Sequence, residues 1–138
     1  MTRRFSELHP GEFAIVFHHL PIEYHEFAND YAVASECAAD QGAFETYYDS
    51  VFAHQRQIGK RSLVELAAAA GARDTVSFRR CLSKGNKSVI VEADAQAAAR
   101  VHATATPTLV VDGVRLGRGI DSAGLEDLLR RARSKVGH

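Results

Sequence analysis

The chain has 138 residues, enough for one domain that buries about two-thirds of the surface its unfolded form exposes. Its 17 Lys and Arg balance its 17 Asp and Glu, which leaves no domain-scale basic field for nucleic acid and no acidic tail. No apolar run approaches the roughly 20 residues that span a bilayer, and Arg3-Arg4 near the start is followed by no apolar core of the kind a secretory signal needs.

Residues 5–9 read as the last turns of a helix stopped by Pro10-Gly11. Phe13-Ala14-Ile15-Val16-Phe17-His18-His19 is nearly continuous in apolar character and of strand length, so it reads as a strand covered on both faces, ended by Leu20-Pro21. Helical periodicity follows over residues 26–39, with Phe27, Tyr31, Ala34 and Ala38 at spacings of three and four. Gln41-Gly42 interrupts it before a second segment carrying Phe44, Tyr47, Tyr48, Val51 and Phe52. After a polar connector, Ser62 with Glu65 predicts a capping box for a helix over 63–70, closed by Gly71. Asp74 predicts the cap of a helix through Phe78 and Cys81, closed near Gly85. Residues 89–103 are Ala-rich and helical in pattern.

Thr108-Leu109-Val110-Val111 reads as a buried strand, and Asp112-Gly113 supplies the positive φ values of a two-residue hairpin returning through Val114-Arg115-Leu116. Pro107 has no N–H for a ladder, so it belongs at a strand start or an open edge. Asp121 or Ser122 then caps an amphipathic helix with Leu125, Leu128 and Leu129 on its apolar face and Arg130, Arg131 and Arg133 toward its negative end. The order is strand, several helices, strand, hairpin strand, helix: an α/β layer arrangement with a large helical insertion.

The seven histidines do not predict a metal. His18, His19 and His25 lack the i, i+4 spacing of a helical zinc pair, and on a strand His18 and His19 point to opposite faces. No Gly-rich phosphate loop, Ser-centred nucleophile elbow or carboxylate pair is present, and no cofactor is expected.

Several local patterns agree with one family in order and spacing. They are the apolar strand ending in His19-Leu20-Pro21, the stretch Ala34-Ser35-Glu36-Cys37 through Gln41-Gly42-Ala43-Phe44, and Phe78-Arg79-Arg80-Cys81-Leu82. The helix leading into Thr106-Pro107-Thr108 and the apolar strand with its Asp-Gly turn complete the set. Together they resemble the DsbA-like branch of the thioredoxin-fold disulfide oxidoreductases over nearly the whole chain. The resemblance implies a single thioredoxin-like α/β domain over 1–138 with a DsbA-type helical insertion at about 26–102. It lacks the first strand and the start of the first helix.

The same resemblance implies that Thr106–Pro107 is cis, although backbone energetics alone favour trans. Thr106 and Pro107 would then form a substrate-binding loop that pairs with an extended polypeptide as an added strand. It also implies thiol–disulfide exchange on polypeptide substrates, but the family's Cys-x-x-Cys is absent. That chemistry needs an activated thiolate and a resolving thiol, so no catalytic residue is assigned and the chain as given is expected to be redox-inactive. The alternative is a non-enzymatic thioredoxin-like protein that binds a peptide or assembles with itself. Cys37 and Cys81 are read either as a structural disulfide, as some relatives carry, or as two small buried apolar residues.

Two explanations of the missing motif are open: an upstream segment lies outside this sequence, or the chain is a redox-inactive relative. The first implies an extracytoplasmic protein, the second a cytoplasmic one. No membrane or nucleic-acid partner is expected. In the family the missing strand lies between those near Ile15 and Leu109. Their edges are therefore expected to draw a second copy into a homodimer, or to pair directly with each other.

Overall fold

Capping chemistry sets most of the boundaries in this helix-rich chain, whose computed structural model describes residues 2–116 and 121–136. The helices are α1 (Thr2–Leu8), α2 (Ala28–Ala39), α3 (Phe44–Ala53), α4 (Leu63–Ala69), α5 (Thr75–Lys84), α6 (Ser88–Arg100) and α7 (Ser122–Val136). The strands are β1 (Val110–Val111), before the hairpin turn, and β2 (Val114–Arg115), after it.

At the head of α4 the Ser62 hydroxyl accepts from the Glu65 N–H while the Glu65 carboxylate accepts from the Ser62 N–H, closing a reciprocal capping box. Asp74 caps α5 by accepting from the Ser77 N–H at 2.9 Å, and Gly85 ends that helix at φ +63°. Asp121, rather than Ser122, caps α7: its carboxylate accepts from the Gly124 N–H at 2.9 Å. The Asp112-Gly113 turn takes φ +48° and +78°, the pair of positive values that matches the twist of a two-residue hairpin.

The chain divides into two compact units, Met1–Phe17 with Ala103–His138, and His18–His102. In the second unit α2 is central and meets α3, α4, α5 and α6. Tyr31, Ala34, Cys37, Ala38, Tyr47, Leu66, Ala67 and Phe78 form its buried core. Cys37 on α2 and Cys81 on α5 are joined by a disulfide with their Cα atoms 5.8 Å apart. The small residues Ala34, Cys37 and Ala38 on one face of α2 let its neighbours approach closely around the larger Tyr47 and Phe78. The Gln41 side-chain amide grips the backbone of Asp74, donating to its carbonyl at 2.9 Å and accepting from its N–H at 3.0 Å.

The first unit has a smaller core. Phe5 of α1 and Leu125 and Leu129 of α7 are buried together, and Phe13 and Leu109 pack against them. Two side-chain contacts tie the turn after α1 to α7: a hydrogen bond between His9 Nε2 and Glu126 at 2.9 Å, and a two-pronged Arg133–Glu12 ion pair at 2.6 Å on each prong. Arg130 and Arg131, expected to serve the helix dipole, both reach back to Asp127 one turn earlier.

Two expectations are corrected. Residues 13–19 form no strand, and residues 14–18 are exposed rather than covered on both faces. Nor do they pair directly with residues 108–111, since β1 and β2 make a two-stranded antiparallel sheet with Val110 opposite Arg115 and Val111 opposite Val114. The reason is physical: strand conformation needs a neighbouring strand for its backbone groups, and among the described residues the one sheet is β1 with β2. The first hairpin strand is likewise shorter than its β-branched run, because pairing ends where the partner ends. One further bond, from the Leu116 N–H to the Leu109 carbonyl at 2.9 Å, extends the ladder.

Candidate functional site

The loop ahead of β1 is built by three constraints. Leu109 anchors its far side by packing on Phe5, Leu125 and Leu129. The Thr108 hydroxyl donates to the Ala105 carbonyl at 2.5 Å, closing a tight turn around the two residues between them. Those two are Thr106 and Pro107, whose peptide bond is cis and whose side chains are exposed. The structure therefore displays both residues at the head of the hairpin, on a turn fixed from behind. Val110 and Val114, 38% and 63% exposed, lie on opposite faces of the hairpin ribbon.

Thr106 and Pro107 belong to the first unit, and Cys37 and Cys81 to the core of the second. The two cysteines of the sequence are bonded to each other and neither is a free thiol. An attacking thiolate is thus not available from this chain while that bond is intact.

A polar cluster went unnoticed in the sequence. Asp94 of α6 accepts from His18 Nδ1 at 2.7 Å and from the His19 N–H at 2.8 Å. His19, only 5% exposed, places its Nε2 2.8 Å from the Glu36 carboxylate on α2. These contacts fasten the connector before α2 onto two helices of its own unit. The two imidazoles address different carboxylates, and among the described residues no group of three or more His, Cys, Asp or Glu is arranged to hold a metal ion. The sequence signal was the adjacent His18-His19 pair, but Asp94 lies 75 residues away from His19, and nothing local links them.

Electrostatic shifts are few. The Arg133 guanidinium, by hydrogen bonding and by its charge, holds the Glu12 carboxyl below its ordinary range, with His9 adding to the effect. Hydrogen bonds from the Ser77 N–H and hydroxyl do the same for Asp74. Burial, reinforced by Tyr31, pushes the Tyr47 phenol well above its usual range. None of these three groups is a nucleophile beside a base.

A family model described as thioredoxin matches residues 6–131. Among curated proteins, the chain is 36% identical over 121 residues to the Na(+)/H(+) antiporter NhaA 1 of Mycolicibacterium vanbaalenii, covering 86% of this chain and 19% of that protein. It is 35% identical over 118 residues to the Na(+)/H(+) antiporter NhaA of Herminiimonas arsenicoxydans, covering 86% and 18%. The corresponding values for the Na(+)/H(+) antiporter NhaA 1 of Salinispora arenicola are 34% over 101 residues, 72% and 15%. The chain thus spans less than a fifth of the length of these relatives. No described helix is long and apolar enough to cross a membrane. No solved structure matches. Because the family match runs through both compact units, from Ser6 to Arg131, the chain belongs to the thioredoxin-like family.

Proposed function

We propose that this chain is the polypeptide-binding part of a DsbA-like thiol–disulfide oxidoreductase. Its dithiol would come from a segment outside these 138 residues. The observation that carries this reading is the exposed Thr106–Pro107 turn at the head of β1 in a chain of thioredoxin family. Thr106 offers backbone N–H and C=O groups to an extended guest, and Pro107, lacking an N–H, leaves that edge open. Specificity from such backbone pairing is broad, which suits a domain acting on many polypeptides.

Support for a dithiol from elsewhere is chemical. Exchange moves two electrons between a dithiol and a disulfide through a mixed disulfide, and both cysteines here are already committed to each other. The Cys37–Cys81 bond favours an oxidising compartment. The short share of each relative covered by the chain favours a domain carried on a larger polypeptide, next to a sodium–proton antiporter in proteins built like those relatives.

The test is an insulin-reduction assay on this chain and on a polypeptide that includes its natural upstream residues. The chain alone is expected to be inactive and the longer form active. A longer form that carries no Cys-x-x-Cys, or that is equally inactive, would overturn the oxidoreductase reading. It would favour the second one, a peptide-binding or self-assembling thioredoxin-like protein, for which the absence of a free thiol is the specific support.

A further inference from the structure

The balance of charge over the whole chain hides a separation inside the unit of residues 18–102. Residues 18–55 hold seven Asp and Glu and no Lys or Arg, whereas residues 56–87 hold eight Lys and Arg against Glu65 and Asp74. Helix α5 has no acidic residue of its own and carries three of those cations. Its inner side is fixed, because Phe78 is buried in the core and Cys81 is bonded to Cys37 of α2. The opposite side bears Val76, Arg80 and Lys84 at spacings of four, with Arg79 alongside. All four are exposed, Val76 by 62%. Of the eight cations only Lys87 is ion-paired among the described residues, to Asp40 at 2.6 Å, although the Arg80 charge bears on Asp74 at the helix cap. Lys84 suits the carbonyl end of α5, but Arg79 and Arg80 in mid-helix serve neither the dipole nor the core.

We propose that the outer face of α5 docks on a bilayer surface bearing anionic lipid headgroups, with Arg79, Arg80 and Lys84 among the headgroups and Val76 at their apolar boundary. Charge complementarity carries the choice. Each Lys or Arg held near such a surface favours it by about fivefold in partition. The acidic residues 18–55 are repelled, so attraction is confined to the basic half of a chain whose total charge is zero. Val76 decides against nucleic acid, whose phosphates reward the three cations but offer an exposed valine no apolar boundary. Three cations and one valine make a weak, reversible attachment on the surface of the bilayer and no insertion through it. The inference goes beyond the proposed exchange chemistry and needs none of it.

Co-sedimentation of the 138-residue chain with lipid vesicles tests it. Phosphatidylcholine vesicles containing about 30% phosphatidylserine should carry the chain down, and vesicles of phosphatidylcholine alone should not. Raising the salt from about 0.1 M to about 0.5 M should release it. Arg79→Gln with Arg80→Gln and Lys84→Gln, all at exposed positions, should weaken binding by about a hundredfold. Arg56→Gln with Lys60→Gln, which removes two exposed cations of the same basic half away from α5, should weaken it far less. Val76→Ser should weaken it by about threefold or more and leave the salt dependence unchanged. A chain that stays in solution with the anionic vesicles, or that sediments equally with the neutral ones, overturns the proposal. A triple variant that sediments like the natural chain would assign the attachment to another surface and overturn it too. Single-stranded DNA bound as tightly as the anionic vesicles, with Val76→Ser affecting neither, would make the face a general polyanion site and refute a lipid one.

Discussion

Tyr47 shows how little a buried group need contribute by being polar. The ring is fully buried beside Phe78, with centroids 6.2 Å apart, and its hydroxyl has no hydrogen-bond partner among the described residues. Removing an unsatisfied buried hydroxyl without changing the ring relieves a desolvation cost. Tyr47→Phe is therefore expected to raise stability by about 1–2 kcal/mol, whereas Tyr47→Ala should lower it by about 3–5 kcal/mol through the cavity it leaves. Urea denaturation of the two variants checks both signs.

Glu12 carries a residue-scale pH prediction. Hydrogen bonds and charge from Arg133 lower its pKa in the folded chain. The stability the pair contributes is therefore fully present above the carboxyl's unfolded pKa and is lost as pH falls through the depressed folded value. The difference in melting temperature between the natural chain and Glu12→Gln should be greatest near neutrality and vanish in acid. A difference that persists or grows at low pH would contradict the pairing.

At the scale of elements, the second unit depends on the link between α2 and α5. The Cys37–Cys81 bond spans 44 positions, and closing a loop of that size is worth about 4 kcal/mol in the chain-entropy account. The double variant Cys37→Ala with Cys81→Ala should lose stability of that order in denaturant. A loss under about 1 kcal/mol would mean that packing of Phe78 and Leu66 alone holds the helices. Gly59 makes a second, sharper test. It sits at φ +77°, its N–H donates to the Tyr31 hydroxyl at 3.2 Å, and an added Cβ would lie 2.7 Å from the Phe27 ring. Gly59→Ala should therefore destabilise the turn before α4 by more than the usual glycine-to-alanine change at positive φ.

The helix boundaries were largely legible because each is written locally. Ser62 and Glu65 stand three apart, Asp74 precedes a polar turn, and Gly85 follows the last apolar residue of α5. The Asp112-Gly113 hairpin was legible for the same reason. Residues 13–19 were not: their composition reads as a strand, but a strand is made by its neighbour, and composition cannot report whether one is present. The Asp94 contacts to His18 and His19 also escaped, since they join residues far apart in sequence. Thr106 and Pro107 could be singled out only through family resemblance, because a cis and a trans X–Pro bond share the same letters.

On the scale of the molecule, the chain assembles two units with different characters. Residues 18–102 form a disulfide-linked helical unit with its own buried core. Residues 2–17 and 103–136 gather the hairpin, α1 and α7 around three buried apolar side chains, and they display Thr106 and Pro107. Family membership accounts for the combination.

The central claim is that the Thr106–Pro107 turn receives an extended polypeptide. Titrating the isotopically labelled chain with an unstructured peptide and following backbone amide resonances tests it most directly. The account predicts shifts that saturate and centre on Thr106, Thr108 and Leu109, with the amides of α2 to α6 unmoved. Saturable shifts confined to residues 18–102, or none at all near Thr106, would contradict it.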